Sequence, residues 1–392
     1  MHYHAPHDSG AAEISSVAPE QRKKIQFWLS LIVLPLAAIT LIGIFLLWPS
    51  SQVQKTPLLA EGASLVTGEI TEIGATDEYG QTPIKMRLLE VPDGVEVPVS
   101  VPLEIVKNGL GIGSKITAIF TPAGIESGVP YIFYDFERKT PLAALIFLYL
   151  LAVLFVAGRK GLAAMVGLGT SLAVVVIFTL PALMAGSNPV LVVVISALAM
   201  MFTSIYFAHG ISIRTTTAVL GTLAGLVITG LMAWLAIGAT NLTGTTGDVS
   251  LVVFTQLPNV NLQQLLLAGM ILAGLGALND VTITQASTVW ELYAANPQSS
   301  RTRLIRQGMV VGRDHIASTV YTLAFAYIGT ALPLLLAASL IERGFIDFFL
   351  VGEITEEIVR TLVASIGLVL AIPLTTSIAA VLAPVAPAKE NK

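Results

Sequence analysis

Asp280, preceded by Asn279, is the residue of this chain best placed to do chemistry. It stands in the run LQQLLLAGMILAGLGALNDVTITQAST over 262–288, which holds enough apolar residues to enter a bilayer. A carboxylate at such a depth costs roughly 2.5–3.5 kcal/mol on insertion scales. A charge kept at that cost points to a task, and coupling to a proton or ion is the first candidate. Gly269, Ala273, Gly276, Asp280, Thr284, Ser287 and Glu291 recur in steps of three and four, so they share one helical face. The upper half of that face is small, which lets another backbone approach, and the lower half is polar. The spacing predicts that Asp280 meets a neighbouring helix or a watery cavity and not lipid.

The next helix offers a partner face. His315, Thr319, Thr322, Ala326 and Gly329 follow the same spacing, just after Arg313 and Asp314. Consecutive antiparallel helices tend to be neighbours. The expectation is therefore a pairing of these two helices, with Asp280 and Thr284 at the depth of Thr319 and Thr322 and His315 at the cytoplasmic start. Desolvation raises a buried carboxyl toward neutral pH, as a proton relay requires. The competing reading is structural: the acid snorkels or bonds a neighbouring threonine, and His315 is a solvated helix start. His209, near Arg214, reads as interfacial. Gly167, Gly169, Gly221, Gly225 and Gly230 read as packing surfaces.

These groups need a membrane scaffold, and the composition supplies one. The 392 residues are 54% hydrophobic and 12% charged, a membrane-protein balance. The net charge of −4 comes with no basic stripe, so no nucleic-acid partner is expected. There is no cysteine, which excludes disulfides, thiol catalysis and thiolate metal sites. No nucleophile motif, phosphate loop or paired catalytic carboxylate is present, so no enzyme activity and no cofactor is expected. His2, His4, His7 and Asp8 sit in a polar tail, and no functional metal site is assigned to them.

The expected fold is a polytopic α-helical membrane protein of about eight transmembrane helices with a small extracytoplasmic all-β domain, OB-like or barrel. A cytoplasmic disordered tail covers 1–26 and an uncleaved anchor helix 27–48. The β-domain covers 49–140, with strands at 65–71, 84–90, 96–102 and 115–121 separated by glycine turns. A seven-helix region fills 141–384, with helices near 141–157, 162–184, 189–209, 215–238, 262–287, 314–340 and 358–382. A cytoplasmic tail follows at 385–392. Segments 287–299 and 345–357 read as interfacial. Basic residues gather at 22–24, 159–160, 214, 301–313 and 389–392, which places both termini in the cytoplasm of a bacterial plasma membrane.

The strings GALNDVTITQASTVWELY at 276–293 and GRDHIASTVYTLAFAYIGTALPLLL at 312–336 resemble the YibE/F-like family of bacterial membrane proteins. The resemblance covers about 140–384 and implies a topology more than an activity. The stretch VNLQQLLLAGMILAGLGALNDVTITQ at 260–285 also looks like the fourth transmembrane helix of the SecF protein-export component and its relatives in the RND superfamily. There, an Asn-Asp or Asp-Asp pair takes part in proton coupling. That likeness implies Asp280 as the proton carrier and Asn279 as its polar neighbour.

The function expected from these readings is a proton- or ion-coupled transporter acting on an unknown solute or ion. The alternative is a membrane scaffold whose β-domain binds an envelope partner.

Overall fold

The computed structural model describes residues 19–49, 57–90 and 94–383. Residues 1–18 of the expected N-terminal tail, with its histidines, and the expected C-terminal tail lie outside the described residues; residues 19–26, expected to be disordered, are instead the helical start of α1 (Pro19–Leu46). Two units divide the chain: Gln54–Val156, and the remainder.

The smaller unit holds a closed five-stranded barrel. Its strands are β1 (Ser64–Ile73), β2 (Gln81–Leu88), β3 (Glu96–Pro102), β4 (Lys115–Phe120) and β5 (Tyr131–Phe136). Their order around the barrel is β1-β2-β3-β5-β4, with β3 and β5 parallel and a short helix, α2 (Leu103–Lys107), between β3 and β4. That is an OB-type arrangement. Alternation sends Ile84 and Met86 of β2 and Val97, Val99 and Val101 of β3 inward. Gly68 admits the tight crossing of β1 over β2, because a Cβ there would strike Met86 and the Arg87 carbonyl. Four of the strands match the sequence expectation; β5 was not among them. A one-turn helix, α3 (Gly124–Ser127), links β4 to β5.

Among the described residues, seven helices are long and apolar enough to cross a membrane. One of these stretches, Lys139–Met184, has 46 residues, or about 69 Å at 1.5 Å per residue, more than twice a bilayer's hydrocarbon core. It comprises α4 (Lys139–Ala173), a π-helical segment (Val174–Thr179) and α5 (Leu180–Met184). Gly158 interrupts α4 with φ 54° and ψ −134°, a backbone state open to glycine. The break falls between the two helices expected at 141–157 and 162–184.

The remaining helices are α1 (Pro19–Leu46), α6 (Pro189–His209), α7 (Ile213–Ala239), α8 (Asp248–Gln256), α9 (Leu262–Ala295), α10 (Arg301–Ser339), α11 (Phe345–Phe349) and α12 (Gly352–Leu382). The core lies among α6, α7, α9 and α12, where Met201, Val219, Leu278, Leu368 and Ile372 are buried together. Several boundaries differ from the expectation. α9 continues to Ala295, into the 287–299 segment expected to be interfacial, α10 begins at Arg301 rather than near 314, and α12 takes up the end of the 345–357 segment. Helical hydrogen bonding outlasts the apolar stretch in each case, so a hydropathy boundary underestimates the helix. α8 lies in a connection for which no helix was expected.

Candidate functional site

α9 is started by Asn261, whose side chain accepts from the Gln264 amide at 2.9 Å. Its two sides have different neighbours. One side buries Leu275, Leu278, Thr282, Gln285 and Val289. There the helix approaches α7 closely, since a Cβ on Gly225 would lie 2.6 Å from Leu278. Hydroxyls and one amide fix this side. Thr222 of α7 and Thr282 share a hydrogen bond of 2.7 Å. The Gln285 amide donates to the Gly308 carbonyl of α10 and to Thr376 Oγ1 of α12, each at 2.8 Å. With 2% exposure, Gln285 is the polar hub of three helices. Buried amides in such a place need both partners, because no water replaces them.

The other side of α9 is open and carries Gly276, Asp280 and Glu291 as exposed residues. A Cβ on Gly276 would meet nothing within 4 Å. Asp280 lines a groove of about 430 Å³ whose other walls are the second half of α4 and α6, through Gly167, Ser171, Ser204 and His209. Asn279 lies beside it and donates from Nδ2 to Ser204 Oγ at 3.0 Å. The Asn279 Oδ1 is buried and has no hydrogen-bond partner among the described residues. Asp280 makes no salt bridge among the described residues. A second groove, of about 600 Å³, continues toward the C-terminal end of α9 and is lined by His209, Thr284, Ser287, Thr288 and Glu291. His209 and Ile283 belong to both grooves.

Asp280, Asn279 and Thr284 are therefore brought to one continuous surface. His315, Thr319 and Thr322 are not. The only α10 residue lining either groove is Val311. Thr319 returns its hydroxyl to the His315 carbonyl at 2.9 Å, and Thr322 bonds the Ser318 carbonyl at 3.0 Å. The expected opposition of Asp280 to the His315–Thr322 face is corrected by rotation. Residue 285 faces α10, and a position five residues away points about 140° elsewhere on the helix. Asp280 consequently faces α6 and α4.

Sequence reasoning passed over Gln285 and Ser204, and read His209 as interfacial without linking it to Asp280. Gln285 and Ser204 carried a signal, a polar side chain inside an apolar helix, but nothing in the spacing said which neighbour each would meet.

A family model described as YibE/F-like protein matches residues 145–385. No curated protein matches the chain. No solved structure matches it either.

Proposed function

The chain belongs to the YibE/F-like family, and within it we propose a proton- or ion-coupled membrane transporter with Asp280 as the coupling carboxylate. One observation carries this reading: the acid opens onto a groove between α4, α6 and α9, with Asn279, Ser204 and His209 around it. A carboxylate serving only to lock helices would be consumed in a dry contact, as Gln285 is on the opposite side. Asp280 is left accessible, which a proton or cation site requires.

Depth supports the same reading. Asp280 lies fifteen residues after Leu265 on α9, about 22 Å along the axis, which puts it inside a core about 30 Å thick and in the half nearer the C-terminal end of the helix. The distribution of basic residues among the connections supports an orientation with both termini in the cytoplasm and the barrel outside a bacterial plasma membrane. In that orientation the second groove is the cytoplasmic exit. The pathway follows the α4–α6–α9 groove and not the α9–α10 contact.

The purified protein tests this. Infrared difference spectra across a pH titration should contain a carboxyl band that Asp280→Asn removes. A spectrum without any such band in the wild-type protein would exclude proton carriage by Asp280.

A second reading has its own observation. The barrel exposes Tyr79 at 88% in the loop joining β1 to β2, a loop that OB folds use to bind ligands. A scaffold that holds an envelope partner through the barrel would tolerate Asp280→Asn and fail on removal of the barrel.

A further inference from the structure

A proton released at Asp280, inside the membrane, must travel further than one hydrogen bond. Asp280 and Glu291, the acids of the two grooves, are eleven residues apart on α9, about 16 Å along the axis. A hydrogen bond spans about 3 Å. Water, alone or with a further titratable group, must fill the interval.

His209 stands in that interval. It is the titratable residue that lines both grooves. It ends α6, where the free carbonyls of the last turn favour an imidazolium. The charged groups that act on it are Asp280 of α9, Lys160 at the start of the second half of α4 and Arg214 at the start of α7. Glu291 of α9 faces it from the second groove. An imidazole has two ring nitrogens, so one that opens onto both grooves can take a proton on one side and release another on the other. Thr284, Ser287 and Thr288 add hydroxyls along the path to Glu291, suited to holding water.

We propose that His209 is the relay between Asp280 and the cytoplasmic groove. The protonated Asp280 carboxyl gives its proton, through groove water, to the lone pair of one imidazole nitrogen. The opposite ring N–H is then lost toward water and the Glu291 carboxylate. Charge moves from Asp280 to His209 to the groove mouth, the ring returns to neutrality as the other tautomer, and no electrons are transferred. The inference rests on the coupling role of Asp280.

The test separates the two ideas by amplitude and rate. After a pH jump, the amplitude of the Asp280 infrared band reports whether the acid titrates, and its relaxation reports the path. His209→Ala should keep the amplitude and slow the relaxation roughly a hundredfold, the scale of a lost acid–base group. Added imidazole should restore the rate in His209→Ala. In His209→Asn, which fills the space, it should restore nothing. A relaxation in His209→Ala as fast as wild type, or slow and indifferent to imidazole, overturns the relay and leaves the role of Asp280 standing. Absence of the band in the wild-type protein overturns both.

Discussion

At the scale of single residues, two positions on α9 that look alike in sequence do opposite work. Asp280 is accessible and Gln285 is buried with both amide bonds made. Gln285→Leu should therefore destabilise the bundle by about 1 kcal/mol, the scale of polar contacts between membrane helices. Unfolding in mixed micelles reads this directly; an unchanged midpoint would mean that α9, α10 and α12 do not depend on the amide. Asp280→Asn removes no bond among the described residues, so it should leave the same midpoint in place. Outside the helices, the Arg138 guanidinium 2.6 Å from Asp135, followed by the Phe136 amide, holds the Asp135 carboxyl below its ordinary range. A lowered carboxyl contributes stability that is present above its unfolded value and is lost as pH falls through the folded one. Arg138→Gln should move the Asp135 carboxyl titration upward, as followed by its carbon chemical shift. A titration that stays in place would assign the effect to the backbone amide alone.

At the scale of elements, glycines sort into those that admit a neighbouring helix and those that keep a space open. Gly221 of α7 lies against Thr375 of α12, whose hydroxyl bonds the Ala371 carbonyl at 2.7 Å and whose branched side chain has little room to turn. Gly221→Ala should cost about 1–3 kcal/mol by overpacking. Gly276→Ala meets open space and should gain slightly from helix propensity, by about 0.5–1 kcal/mol. Paired unfolding midpoints check both; equal effects would refute the assignment of packed and open faces. The same contrast explains what the sequence could disclose. Spacing of three and four put Gly276, Asp280 and Thr284 on one face, and they do share one. Apolar runs located the helices, and alternation located four strands of the barrel. Partner choice was not legible, because Gly and Thr occur on both sides of α9 and a lipid-facing surface is as apolar as a buried one. The rotation that turns Asp280 to α6 and α4 follows from Gln285 engaging α10 and α12, a long-range fact that no local period encodes.

At the scale of the whole molecule, the number of crossings decides what every groove faces, and Gly158 controls that number. If Lys139–Met184 crosses once, three crossings separate the barrel from the connection after α7; if Gly158 divides it, there are four. The physical case for division is length, since one span needs about 20 residues and this stretch has 46. The chain has no cysteine, so a single introduced thiol reports a single place. Tyr79 in the barrel, Thr243 after α7 and Gln298 between α9 and α10 are all exposed. With a divided stretch, Tyr79→Cys and Thr243→Cys should react with a membrane-impermeant maleimide from the same side of intact cells. Gln298→Cys, one crossing beyond Thr243, should react after the membrane is opened. If instead Tyr79→Cys reacts in intact cells and Thr243→Cys does not, the stretch crosses once. The groove from His209 to Glu291 would then open outside, and the direction of the relay would reverse with it.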